Sequence, residues 1–320
     1  STHRLRDSKG INPMDTRLKQ LSYSSLLTLH SCPRKYQLDR LQAPKGDDDK
    51  NKSSVTFAFG HVVGLGIQLA FESKSEEEII WQMFLMWDVD IHEDNPKQNK
   101  SFWEAIVAVQ KIIAMRSAGF LNDWQLAYHE GKPCCELSFL IHLPNGFRYR
   151  GFVDAVLQNQ VTGEIMVLEV KTTSMSAVNS ATYRNSAQAI GYSVILDHLF
   201  PELSSYEVLY LVYKTKSREY DTLPFTKSYL QRALWIRELL LDIDMIELYE
   251  EADIYPMHGE SCYNFYRECE YIYTCTLSTG KLTESITPEQ EQKILEAHET
   301  YQIKITLDDL IQSQLRKESE

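Results

Sequence analysis

The chain has 320 residues, 43% apolar and 24% charged, an ordinary soluble globular mixture with no apolar run long enough to span a membrane. Lys and Arg total 33 against 45 Asp and Glu, a net charge of -12 that excludes attachment to nucleic acid by global positive charge while leaving room for a local basic groove. The first six residues carry charge with no apolar run behind them, so no secretory signal is expected, and six cysteines in a cytoplasmic chain do not read as a disulfide framework.

One domain is expected, in four stretches. Residues 1–20 are polar, hold Gly10 and Pro13, and read as a mobile leader. Residues 21–134 read as helical. Leu26, Leu27, His30 and Tyr36 surround Cys32 at helical spacing, and a charged surface loop follows over 41–54. A helix over 59–71 carries Gly60, Gly64 and Gly66, which suggests close packing. Ser75 and Glu78 form a capping box before Ile79, and Phe102, Ile106, Val109 and Ile113 share a face of a third helix.

The pattern changes at Cys135. Strands are expected over 135–143 and 147–157, joined at Pro144-Asn145-Gly146, with further strands over 165–170 and 206–213 and a helix over 186–200 between them. Residues 135–215 thus read as an α/β core. Residues 216–320 read as helical and cysteine-rich, with a long helix over 227–250 and a capped helix from Thr287-Pro288-Glu289-Gln290. Cys134 and Cys135 are adjacent and read as packing residues.

The chemistry concentrates in two apolar strands. Gly151-Phe152-Val153-Asp154 ends in an acid, and Ile165-Met166-Val167-Leu168-Glu169-Val170-Lys171 places Glu169 and Lys171 on one face with Leu168 and Val170 on the other. If the strands are neighbours, Asp154 and Glu169 converge on one hard divalent cation, Mg²⁺ or Mn²⁺, with Lys171 beside it. Such an ion lowers the pKa of a bound water and neutralises transition-state charge, and Lys171 orients the water or stabilises developing charge. A structural ion pair at the sheet rim is the alternative. Nine histidines contain no H-x-x-x-H pairing, which argues against a histidine-bound metal hydrolase.

Gly-Phe-Val-Asp154, Leu-Glu169-Val-Lys171-Thr-Thr and Gln188-Ala-Ile-Gly-Tyr192 together resemble the PD-(D/E)xK nuclease superfamily, in its RecB-like branch. The resemblance implies a restriction-endonuclease-like core, a mixed central sheet flanked by helices, with a helical region before it and an iron–sulfur segment after it. It implies that Asp154, Glu169 and the Val170 main-chain carbonyl bind the metal, that Lys171 assists the attacking water, and that Gln188 and Tyr192, four apart on one helix face, support the site. Glu136 matches an additional acid near the metal, with an exposed strand-end carboxylate as the alternative. The family histidine stands four residues after a glycine. Counted from Gly60 that position is Gly64, and the histidine present is His61, a metal-ligand candidate whose alternative is a satisfied helix histidine.

Cys262, Cys269 and Cys275 are spaced C-x6-C-x5-C, with Cys32 more than two hundred residues earlier. This frame resembles the iron–sulfur members of the same branch, the AddB-type and CRISPR-adaptation nucleases, and implies a [4Fe–4S] cluster that ties the two ends of the chain. A zinc site, or inert buried thiols, are the alternatives. DNA contacts are expected from Arg34 and Lys35, Arg148 and Arg150, Arg184, Lys214, Lys216 and Arg218, with Tyr183, Tyr192 and Tyr213 available for base stacking.

The resemblance implies an exonuclease that acts from DNA ends, on single strands or duplex termini, in recombination or repair. A helicase, an annealing protein or a single-strand-binding protein would be its partners, with no membrane. A compact nuclease of this kind suits a phage or a bacterium. An endonuclease or flap nuclease, and an inactive iron–sulfur DNA-binding module, remain open.

Overall fold

The computed structural model describes residues 14–45, 55–87, 97–203, 205–264, 267–277 and 301–318. In chain order these form β1 (Gln20–Ser22), α1 (Tyr23–Ser31), α2 (Pro33–Arg40), α3 (Val55–Phe71), α4 (Glu76–Met86) and α5 (Phe102–Ser117). Then come β2 (Trp124–Leu126), β3 (Tyr128–His129), β4 (Lys132–Pro133), β5 (Cys135–His142), β6 (Arg148–Asn159) and β7 (Ile165–Thr173). Three short helices, α6 (Ser180–Arg184), α7 (Ala187–Gly191) and α8 (Ser193–Leu199), precede β8 (Ser205–Lys214), β9 (Glu219–Ser228) and α9 (Tyr229–Ala252). The chain ends with β10 (Tyr263–Asn264), β11 (Arg267–Glu268), α10 (Ile272–Leu277), β12 (Tyr301–Thr306) and α11 (Leu307–Glu318).

A mixed sheet runs β12-β5-β6-β7-β8-β9, with β1 and β2 also paired to β6. The β5–β6 hairpin turns where Pro144-Asn145-Gly146 predicts, and Asn145 takes the left-handed φ of 58° that such a turn favours. β7 and β8 are parallel, so α6, α7 and α8 form the crossover between them. One face of the sheet packs beneath α1, α7, α8 and α9 around Val167, Val208, Tyr192 and Trp235. The other packs beneath α3, α4 and α5 around Leu168, Leu211, Phe59 and Val109. This is the mixed sheet flanked by helices expected from the α/β pattern.

Several elements differ from expectation. The single helix over 186–200 is two, α7 and α8, which meet at Tyr192. The leader stops short of residue 20, because Asp15 caps a turn over Thr16–Lys19 whose Leu18 is buried, and β1 follows directly. β9 precedes the long helix, and its alternation of exposed residues hides it from an apolar-run reading. β12, a strand in a stretch read as helical, pairs parallel with β5. The capped helix from Thr287 lies outside the described residues. Among those residues no helix is long and apolar enough to cross a membrane.

Of the three glycines in α3, only Gly66 makes the close approach. A Cβ there would stand 2.5 Å from Val109 Cγ2 on α5 and 2.9 Å from Met83 Sδ on α4, whereas at Gly64 it would meet nothing within 4 Å. Gly66→Ala is expected to destabilise the protein by about 1–3 kcal/mol through overpacking. Gly64→Ala is expected to be neutral or to stabilise by up to about 1 kcal/mol through helix propensity. Urea unfolding of the two variants checks both signs.

Candidate active site

The site lies where the two central strands part. β6 pairs with β7 only from Ala155↔Leu168 to Gln158↔Ile165. Toward its N-terminal end β6 pairs instead with β1, from Arg148↔Gln20 to Arg150↔Ser22. Asp154 and Glu169 stand one residue beyond the last shared pair, at the mouth of the fork. There Asp154 Oδ2 accepts the Val170 N–H at 3.1 Å, an acceptor that the interrupted ladder no longer supplies.

Strand parity breaks at the same level. Glu136 has a φ of 47°, and Cys135 and Leu137, which a regular strand would turn to one face, lie in different core clusters. Val153 and Ala155, their partners on β6, are split in the same way. Left-handed backbone at a non-glycine residue is costly and recurs at functional sites. Here it sets Glu136 beside Asp154, on the strand next to it.

Glu169 is 1% exposed, and both of its oxygens are engaged: Lys171 Nζ donates to Oε1 and the Tyr192 hydroxyl donates to Oε2. Lys171 Nζ also reaches Gln188 Oε1 at 3.3 Å. The four-residue spacing of Gln188 and Tyr192 therefore has a concrete purpose. One holds the lysine and the other holds the glutamate, from adjoining turns of α7 and α8. Gly191 allows this seat, since a Cβ there would lie 3.3 Å from the Trp235 ring of α9. Lys171 keeps 35% of its surface exposed, so its ammonium can still meet a substrate.

Electrostatics follow from setting Glu169 and Asp154 around one lysine, with Glu136 near both acids. Burial pushes the Asp154 carboxyl up to about 8, with Glu169 adding and Lys171 and the Val170 N–H opposing. Loss of solvent, then the Glu169 charge, raises Glu136. Burial alone would lower the Lys171 ammonium, but the Glu169 and Asp154 charges outweigh it and the net shift is upward. Tyr192 is raised by burial and by Glu169, so it remains a donor. Asp154, Glu169 and Glu136 supply the hard oxygen donors that Mg²⁺ or Mn²⁺ prefers. As arranged, no three His, Cys, Asp or Glu side chains among the described residues stand close enough to hold one ion. Lys171 and Tyr192 hold the Glu169 oxygens instead.

Tyr210 was not singled out from sequence. It pairs with Glu169 across β7 and β8, and burial, with the Glu169 charge, pushes its phenol up to about 12. The signal was the register of two apolar strands, which the sequence does not print. Tyr183 of α6 packs on Tyr210 with ring centroids 4.8 Å apart, and the Lys171 charge reaches its phenol. His61 sits on an exposed face of α3, its ring 4.1 Å from that of Phe57.

The expected DNA contacts divide. Arg184 is exposed above the Phe225 ring, and Lys216 is exposed after β8. Arg148 and Arg150 are half-buried, the latter stacked on Phe152. Lys35, Lys214 and Arg218 pair with Glu270, Asp221 and Glu104. Three expectations are corrected. Arg34 is buried, bonded to Gln37, and its guanidinium faces Cys275 rather than solvent. Tyr192 and Tyr213 are buried, their hydroxyls on Glu169 and Glu104, and neither ring can stack on a base.

Cys32, Cys262, Cys269 and Cys275 line one cavity of about 100 Å³, together with Met257, Tyr271 and Lys35. Cys32 sits between α1 and α2, and the other three come from the segment around β10, β11 and α10. Cys134 and Cys135 are buried elsewhere, and burial pushes their thiols up to about 11 and 12, as suits packing residues.

No curated protein sequence matches the chain. Among solved structures, a candidate exonuclease from Eubacterium rectale is similar, with TM-score 0.49 and 12% identity over 92% of this chain and 99% of that one. SSO0001 is similar with TM-score 0.28 and 17% identity over 70% of this chain and 88% of that one. At these scores neither likeness bears on mechanism. The model of the PD-(D/E)XK nuclease superfamily matches residues 20–276, a span that holds the fork, the helices that brace it and all four cysteines of the cavity. Across that span the chain belongs to the PD-(D/E)XK nuclease superfamily, phosphodiester hydrolases that act on DNA and use divalent metals such as Mg²⁺.

Proposed function

We propose that the protein is a Mg²⁺- or Mn²⁺-dependent DNA exonuclease of the RecB-like branch, acting from DNA ends in recombination or repair. The observation that carries the reading is the bonded group Glu169–Lys171–Gln188–Tyr192 beside Asp154 at the parting of β6 and β7. Asp154 and Glu169 would hold the metal, with Glu136 and the Val170 carbonyl as further oxygen donors. The ion would supply charge neutralisation and a more acidic water. Lys171 directs that water or steadies the leaving charge, and Gln188 fixes where its ammonium stands. Tyr192 holds Glu169 in its buried orientation. Domain organisation follows the same reading: one nuclease domain, with helices before the catalytic core and a cysteine-bearing segment after it.

A [4Fe–4S] cluster held by Cys32, Cys262, Cys269 and Cys275 belongs to the same proposal, since these four cysteines line one cavity. Burial raises the Cys275 thiol, and the Arg34 guanidinium beside it opposes that rise.

Anaerobically purified protein with Mg²⁺ is expected to degrade end-labelled linear DNA and to spare closed circles, with activity lost on chelation and in Asp154→Ala. Cutting of circles would make it an endonuclease, and no cleavage of either form would leave a DNA-binding module. Lys171→Ala is expected to lower the rate by about 10²–10⁴-fold while DNA binding persists, as judged by gel shift. Tyr192→Phe, which removes one bond to Glu169, is expected to cost about 10–100-fold. Cys275→Ser is expected to remove bound iron and sulfide and the brown absorbance, read by metal analysis and visible spectra, while Asp154→Ala retains them.

A further inference from the structure

α9 is apolar on two opposite sides. Trp235, Leu239, Ile243 and Ile246 face the sheet. On the far side Leu230, Leu234, Leu241, Met245 and Leu248 form a stripe along the helix, each between 42 and 71% exposed. At 100° per residue Leu230, Leu234, Leu241 and Leu248 fall within about 20° of one line. Five large apolar side chains in one row on a lone helix are a surface built to be covered.

The charges beside the stripe indicate what covers it. Arg237 and Asp244 lie on the same flank, four residues before and three after Leu241. Both are exposed, and neither makes an ion pair among the described residues. Two such helices laid antiparallel about a two-fold axis at Leu241 keep this flank on one side. Each Arg237 then faces the other copy's Asp244, while Leu234 meets Leu248. A parallel pair would put the two flanks on opposite sides of the seam, and neither charge would meet its complement.

We propose that this face of α9 binds a second copy of the chain, as an antiparallel helix pair centred on Leu241. The contact is isologous, as a two-fold demands. A stable dimer buries about 800 Å² on each partner, which asks for more than one helix stripe. α11, tied to the buried side of α9 through Arg232 and Ser313, exposes Ile311 and Leu315 as well. None of these residues belongs to the bonded group around Glu169, so the inference stands apart from the proposed nuclease activity.

Sedimentation equilibrium of the full chain at about 1–50 µM tests it. A species of twice the monomer mass is expected. Leu241→Glu should convert it to monomer, with an unchanged circular dichroism spectrum and unchanged DNA cleavage. Arg237→Glu should weaken association at least tenfold, and the charge exchange Arg237→Glu with Asp244→Arg should restore it. Leu241→Cys should crosslink to itself under mild oxidation, and Leu234→Cys should not. A monomer at the highest concentration overturns the proposal. So does a dimer indifferent to Leu241→Glu, or a charge exchange that fails to restore what the single reversal lost.

Discussion

The hydrogen bond from the Val170 N–H to Asp154 governs the rest of the molecule's chemistry. Two neighbouring strands that stayed paired would satisfy each other's backbone donors. These two separate, and the carboxylate of one supplies the acceptor that the other's backbone has lost. The cost of opening a sheet is an unpaired donor, and here the Asp154 carboxylate meets it. The same opening makes room for β1 beside β6 and gives Lys171 its partial exposure.

Around this fork the structure is a sequence of restraints. Glu169 is gripped from two sides, Lys171 is shared between Glu169 and Gln188, and the turn between α7 and α8 falls at Tyr192, so that two short helices each present one contact. Trp235 backs this turn closely, so that a Cβ at 191 would stand 3.3 Å from its ring. α9 thus serves as a buttress on one side, and its other side stands open to solvent. Preorganised groups of this kind need no reorganisation when charge develops.

Much of this was legible in the sequence because it is local. The Asn145-Gly146 turn, the alternation that puts Glu169 and Lys171 on one face, and the four-residue step from Gln188 to Tyr192 depend on nearest neighbours alone. The match of residues 20–276 to a nuclease family accords with that reading. What escaped was long-range. β9 alternates exposed and half-buried residues and offers no apolar run, and β12 joins the sheet from far along the chain. Tyr210 gains its meaning only from the β7–β8 register. Arg34 differs because charge suggests a surface, whereas its guanidinium is buried between Gln37 and Cys275.

The parallel pairing of β12 with β5 has a consequence for how the protein comes into being. β5 is translated by residue 142, yet the neighbour that covers its outer edge is residues 301–306. While the intervening residues emerge from the ribosome, β5 presents an open row of donors and acceptors, with Leu137, Phe139 and Ile141 alongside. Exposed edges of this kind recruit other strands. Contacts of such sequence separation also form slowly. The edge is therefore most vulnerable in the newborn chain, before residues 301–306 are made to cover it.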